Sequence, residues 1–361
     1  MRQEDPPMLD MAVPADLIHL EDMEIGRQVA FGALEVGKDD IIAYARAFDP
    51  QPIHLDEAAA QQSIVGGLCA SGFHSCALLM RMLADDVLLK STSLGSPGID
   101  EVKWMRPVRP GDRLSGRMTC TGQREFASRP GVGIVKLLIE MLNQKGEVVM
   151  SWDSNQLLKV RHPATGAPET SSRDKRPPLV SLWETEGPEP DRSRNYFEDR
   201  QIGEVYALGS HHFTREEVLG FARQFDPQPF HLDEAAAAQS LFGRLSASGW
   251  HTTSIWIRQF VRFRQEIERD MAARGERPAQ YGPSPGFRNV RWLKPVYPGD
   301  TIEFRGRVDA KLDWRSRPDR GLIETENQGR NQHGDIVFTI RGRILAERRT
   351  PLPAAAATRP A

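Results

Sequence analysis

Two aspartate–histidine pairs are the residues best suited to chemistry. Asp49 and His54 lie in Asp-Pro-Gln-Pro-Ile-His, and Asp226 and His231 lie in Asp-Pro-Gln-Pro-Phe-His. A carboxylate and an imidazole on proline-stiffened backbone can together bind one water and take its proton, which is general-base chemistry. An isolated Asp-Pro ahead of a helix usually does no more than stop the helix before it. Here the hexapeptide recurs while nearby positions 64, 65 and 67 differ between the copies, which argues for a constraint beyond turn formation.

A second duplicated constellation follows each pair: Ala-Ser-Gly-x-His at 70–74 and 247–251. It falls where a long helix should begin, so unpaired N–H groups and the positive helix end are available there. Glycine permits close approach of a ligand to the backbone. The N–H of Gly72 or Gly249 is therefore a candidate oxyanion donor, with Ser71 and Ser248 beside it. The competing reading is that glycine merely lets the helix pack tightly. His74 and His251 could face the site or sit in helix packing, and the packing role is favoured. Gln51 and Gln228, inside the hexapeptides, are candidate neighbours of the site. No His/Cys/Asp cluster has metal-ligand spacing, no glycine-rich phosphate loop is present, and His211-His212 reads as strand surface.

The elements that must position these residues form a repeat. Residues 45–74 and 222–251 align at an offset of 177 with mismatches at eight of thirty positions. The similarity continues at an offset of 188, through Pro97-Gly98 and Pro285-Gly286, Trp104 and Trp292, and the Pro-Val-x-Pro-Gly-Asp runs at 107–112 and 295–300. The 11 extra residues of the second copy fall around 266–279, as a lengthened helix end or loop. A period this long means duplication of a whole domain and excludes a solenoid. The chain divides into an N-terminal tail (1–18), a first domain (19–160), a Pro- and Ser-rich linker (161–195), a second domain (196–347) and a disordered tail (348–361).

Within each unit, Glu-Asp-x-x-Ile-Gly leads into a strand. A short helix follows, with a Thr214/Glu217 capping box in the second copy; it stops at Asp-Pro, and two prolines then make a stiff loop. A further short helix precedes the long one, whose apolar positions in the first copy run almost all round, so it should be buried. Strands with Pro-Gly-Asp and Lys145-Gly146 turns complete an antiparallel meander. The fold class is α+β: two hotdog domains in tandem, each an antiparallel sheet wrapped around a long central helix.

The bulk properties fit. The 361 residues suit two domains of about 100–200 residues each. A formal charge of −2 gives no electrostatic reason to expect nucleic acid or a membrane surface as partner. Cys69, Cys76 and Cys120 make an odd count without Cys-x-x-Cys spacing, suiting small buried hydrophobes in a reducing compartment. The N-terminus does not look like a signal peptide, and no run approaches the ~18 apolar residues of a membrane span. A soluble cytoplasmic protein is expected.

Asp49-x-Gln51-Pro52-x-His54 and Asp226-x-Gln228-Pro229-x-His231 resemble Asp-x-Asn-Pro-x-His, the signature of the MaoC-like dehydratases, which include (R)-specific enoyl-CoA hydratases. The Ala-Ser-Gly-x-His segments resemble that family's Ala-His-Gly, and the Pro-Gly-Asp turns also match. The resemblance implies that the two units pair side by side as an intramolecular pseudo-dimer, leaving a further homo-oligomer open. It implies an acyl-CoA thioester substrate, with coenzyme A as its handle and no separate cofactor. Asp and His would activate water for addition across a 2,3-enoyl bond, or its removal. Three positions depart from the pattern. Gln51 and Gln228 replace asparagine, and Ser71 and Ser248 replace histidine. The serine that some hydratases carry five residues after the glycine is matched by Ser254 but replaced by Ala77 in the first copy. Two working sites are expected, with the Asp226/His231 site the better match. A hotdog thioesterase and a non-catalytic acyl-CoA-binding module are the competing readings.

Overall fold

A computed structural model describes residues 17–163 and 179–353. The rest of the expected tails and linker lies outside the described residues. The first unit runs β1 (Gln28–Glu35), α1 (Lys38–Phe48), α2 (Pro52–Leu55), α3 (Glu57–Gln61), α4 (Gly72–Asp86), β2 (Ser93–Trp104), β3 (Arg113–Glu125), β4 (Val132–Leu142) and β5 (Val148–Lys159). The second runs β6 (Val205–His212), α5 (Arg215–Phe225), a 3-10 turn (Pro229–His231), α6 (Glu234–Ala238), α7 (Gly249–Ala273), β7 (Gly286–Trp292), β8 (Thr301–Asp313), β9 (Arg320–Arg330) and β10 (Ile336–Glu347).

Local chemistry accounts for the boundaries that matter to the site. Thr214 accepts from the Glu217 N–H and Glu217 reaches back to Thr214, so the expected capping box opens α5. Helices α1 and α5 end at Phe48 and Phe225, one residue before the Asp-Pro dipeptides. The stiff loop expected next is in fact a helical turn: Pro52 and Pro229 occupy its first position, where a fixed φ helps and a missing N–H costs nothing. That turn brings each histidine back toward its aspartate.

The ten strands form one antiparallel sheet in the order β1-β3-β4-β5-β2-β7-β10-β9-β8-β6. Its centre is the seam between the units, where β2 pairs with β7. The register is symmetric: Gly98 lies opposite Arg291 and Gly286 opposite Lys103. Both glycines have φ in the left-handed range, and a Cβ on either would overlap a carbonyl oxygen of the facing strand. The duplicated Pro-Gly is therefore a device of the seam.

Helices α4 and α7 are packed on the sheet and against each other. In α4 ten of fifteen residues are buried, including Cys76, Ala77, Leu79 and Leu83, as its continuous apolar text requires. Aromatic stacking ties the halves together: Trp152 on Trp250 at 5.0 Å and Phe73 on Phe287 at 5.4 Å between ring centroids. Helix α7 has 25 residues against 15 in α4, so much of the inserted segment extends this helix. All three cysteines are free and buried.

Several segments read from composition as tail or linker are held in place. Ile18 bridges to Ser91. Leu182, within the expected linker, is fully buried and its N–H donates to Gln328 Oε1. Arg348 lies over the Phe197 ring and the Leu352 N–H donates to the Pro318 carbonyl. His212 is exposed as expected, whereas His211 is half-buried beside Arg258. Among the described residues no helix is long and apolar enough to cross a membrane.

Candidate active site

Each hexapeptide folds back so that its aspartate and histidine meet. Nε2 of His54 is 3.6 Å from Oδ2 of Asp49, and Nε2 of His231 is 3.5 Å from Oδ2 of Asp226. All four residues are buried. The other ring nitrogen settles what Nε2 does. Nδ1 lies 2.9 Å from the Cys69 carbonyl in the first site and 2.8 Å from the Ser246 carbonyl in the second. A carbonyl only accepts, so Nδ1 carries a proton in both rings, and in the neutral form of the ring Nε2 is left with a lone pair. Burial pushes the His231 pKa below its ordinary value, against the opposing pull of Asp226, and so favours that neutral form. Two acceptors of this spacing suit one water donating a proton to each.

The aspartates are held on both oxygens. Ser71 and Ser248 donate to Oδ2 at 2.6 Å, and Gln51 and Gln228 donate to Oδ1 at 2.9 Å. The same serine oxygens accept from the N–H of Phe73 and Trp250 and so cap α4 and α7. One hydroxyl thus fixes the helix start relative to the carboxylate. The serines expected beside an oxyanion donor are aspartate holders and helix caps.

Gly72 and Gly249 are the first residues of their helices and line the two cavities. Among the described residues neither N–H has a hydrogen-bond partner, which leaves both as donors to a ligand oxygen. A second constraint explains the residue type. The indoles of Trp104 and Trp292 lie directly on the two glycines, and a Cβ would overlap the rings. Tight packing and ligand approach, posed as alternatives by the sequence, apply together.

The first cavity holds about 330 Å³ and is lined by Asp49, Gln51, His54, Gly72 and Trp104, and by Ile257, Phe260 and Arg264 of α7. The second holds about 260 Å³ and is lined by Asp226, Gln228, His231, Gly249 and Trp292, and by Met80 and Leu83 of α4 with Trp152 and Gln156 of β5. Each site is therefore walled by both halves.

Cys69 also lines the first cavity, with Sγ 3.8 Å from His54 Nδ1. It is not a nucleophile of the cysteine–histidine kind. That ring nitrogen is committed to a carbonyl, and burial pushes the thiol pKa up to about 11.

Ser254 does not reach the second cavity. Its hydroxyl donates to the Trp250 carbonyl at 2.8 Å and lies 2.7 Å from the Tyr44 hydroxyl of the first half, so it joins the two units. Within α4 and α7 the hydroxyls that line the cavities are Ser75 and Thr252, equivalent positions that the repeat alone did not single out. His74 and His251 stay in the packing. His74 stacks on Tyr44 at 4.5 Å and His251 on Phe221 at 4.7 Å, and burial pushes the pKa of both down to about 3. The tryptophans over the glycines were visible in the repeat, but nothing local tied them to the site.

A family model for the MaoC-like domain matches residues 21–140 and again 198–328. An uncharacterised protein from Bacillus subtilis, YdeM, is 27% identical over 140 residues, 39% of this chain and 98% of that protein. Two further relatives match over shorter stretches. Protein MaoC of Klebsiella aerogenes is 33% identical over 31% of this chain and 30% of its own length. Mesaconyl-CoA hydratase of Cereibacter sphaeroides is 37% identical over 21% of this chain and 22% of its own length. Among solved structures, a Mycobacterium tuberculosis protein described as having a double hotdog fold superposes with a TM-score of 0.65 at 14% identity, over 91% of this chain and 98% of that one. A MaoC domain protein from Chloroflexus aurantiacus gives 0.70 at 18% identity, over 95% of this chain and 100% of that one. With the model matched in both units and the sheet continuous across their seam, the chain belongs to the MaoC-like dehydratase family, carrying two such domains in a double hotdog fold.

Proposed function

We propose that the protein is a hydratase/dehydratase that adds water to, or removes it from, the 2,3-position of an acyl-CoA thioester. The observation that carries this reading is the duplicated pairing of two acceptors, His Nε2 and Asp Oδ2, beside a helix-start N–H that has no partner among the described residues. In the hydration direction the water oxygen bonds to C3. The electron pair of the double bond moves toward the thioester carbonyl as an enolate, which the Gly72 or Gly249 N–H stabilises. The pair takes a proton from the water and a proton is returned to C2, so one water is added in sum. Dehydration is the same path reversed. Coenzyme A takes part only as the carrier of the acyl group. The mesaconyl-CoA hydratase among the relatives supports this class of reaction, and both units retain the full set of groups.

Incubation with a trans-2-enoyl-CoA in 18O-labelled water tests the reading against thioester hydrolysis and against binding alone. The expected product carries the label at the C3 hydroxyl with the thioester intact. Label in a free carboxylate, with release of thiol, would establish the thioesterase instead. Tight binding with no label incorporated would leave a binding module.

A further inference from the structure

The glutamines of the hexapeptides have a second end. Each donates its Nε2 to the aspartate, which leaves Oε1 facing away, and in both sites Oε1 is met by a residue of the opposite half. In the second site Ser93 of β2 donates to Gln228 Oε1 at 3.1 Å, and Gln156 of β5 donates to Ser93 Oγ at 2.7 Å. Gln156 and Gln228 are buried. A directional chain therefore runs from Gln156 through Ser93 and Gln228 to Asp226 Oδ1. Each member polarises the next, and the order of donors fixes which end of the amide faces the carboxylate.

The first site lacks these residues. At the offset of 188, Ser93 corresponds to Tyr281 and Gln156 to Ile344. The strand geometry agrees, since Tyr281 bridges Ala346 where Ser93 pairs with Leu158. Neither replacement meets the glutamine. Arg264 of α7 does so instead, with Nη1 3.4 Å from Gln51 Oε1. The guanidinium lies 4.3 Å over the Tyr281 ring and pairs with Glu268 at 3.1 Å. Next to it, Gln265 donates to the Pro50 carbonyl at 2.8 Å and pins the Asp-Pro turn itself. The position equivalent to Arg264 in the first half is Val87, just beyond the end of α4.

We infer that the catalytic aspartate of each site is oriented from the other half of the chain, by a neutral Gln156–Ser93–Gln228 relay at Asp226 and by Arg264 through Gln51 at Asp49. Ser93, Gln156 and Arg264 are positioning residues. They act on the aspartate through the glutamine, and neither unit alone carries a complete site. The inference rests on the hydration reading above, and names residues that neither the hexapeptide nor the repeat reveals.

The test uses full-length single-site enzymes. Asp49→Asn leaves the second site and Asp226→Asn leaves the first. With a trans-2-enoyl-CoA, Ser93→Ala is expected to lower kcat about tenfold more in the Asp49→Asn enzyme than in the Asp226→Asn enzyme, and Arg264→Met the reverse. KM should move far less than kcat in each case, and Ser93→Thr, which keeps the hydroxyl, should restore turnover. Equal losses in both backgrounds would mean a general structural role and overturn the proposal, as would no loss in the matching one. A crystal structure of Ser93→Ala decides the matter without turnover: the proposal expects the Gln228 amide to swing and its 2.9 Å contact with Asp226 to break. An amide left in place would contradict it. If neither parent enzyme hydrates the substrate, the hydration reading fails on its own, and the crystallographic result still decides the relay.

Discussion

The two sites are near copies at their centres and different at their walls. Asp, His, Gln, Ser and Gly superpose in role and almost in distance, from the 2.6 Å serine contact to the 3.5–3.6 Å approach of imidazole to carboxylate. The walls come from opposite halves and have diverged. The first cavity is larger, faces a helix ten residues longer than its counterpart, and has an arginine at its glutamine. The second is smaller and bounded by three tryptophans, Trp152, Trp250 and Trp292. Groups that perform the proposed chemistry were kept through duplication, while groups that shape the cavity and hold the aspartate from across the seam were free to change.

The largest expected contrast lies in acyl preference. With a series of enoyl-CoAs, the Asp226→Asn enzyme, working through the 330 Å³ cavity, should favour longer or branched acyl groups by about tenfold in kcat/KM over the Asp49→Asn enzyme. Identical profiles from the two enzymes would show that cavity shape does not set specificity.

A smaller effect tests what the halves share. His74 and His251 are each pushed to about pH 3 by burial, so the folded protein holds them neutral while the unfolded chain takes up protons below about pH 6.5. Their contribution is fully present above pH 6.5 and is lost as pH falls toward 3, at up to about 1.4 kcal/mol per pH unit for each histidine. Urea midpoints measured between pH 7 and pH 5 should fall less steeply, to about the same degree, in His74→Phe and His251→Phe. A flatter profile in only one of them would break the equivalence.

The smallest effect concerns Ser254. Its replacement by alanine, the residue the first half already has at this place, removes a buried contact with Tyr44 and should cost about 1 kcal/mol of stability. Because Ser254 lies outside the cavity, kcat of the Asp49→Asn enzyme should change by less than about twofold. A large drop in kcat would return Ser254 to the site.

What the sequence disclosed follows from how local each feature is. Asp, Gln and His lie within six residues and the serine and glycine are adjacent, so each set falls inside one short motif whose recurrence in both units singled it out. The repeat exposed the two units, and the apolar circumference of α4 its buried place. Ser254 was matched by distance from the glycine, but a residue five positions along a helix has turned away from the helix start, and here it points to the other half. Ser93, Gln156 and Arg264 reach the sites through strand pairing and a helix extension. None is repeated at its equivalent position, so the internal comparison that found the rest was blind to them. The linker composition around 179–195 suggested solvent, whereas buried Leu182, two hydrogen bonds with Gln328 and the Trp183 indole on Glu303 are among the contacts that hold that segment on the second unit.

The central claim is that either Asp–His pair suffices to activate water and that nothing else in the molecule does so. The direct measurement is the hydration rate of a trans-2-enoyl-CoA by the wild type, Asp49→Asn, Asp226→Asn and the double variant, each checked for folding by circular dichroism. Measurable turnover is predicted in both single variants, with a loss of about a thousandfold or more in the double variant. A double variant that still hydrates the substrate near the wild-type rate would contradict the account.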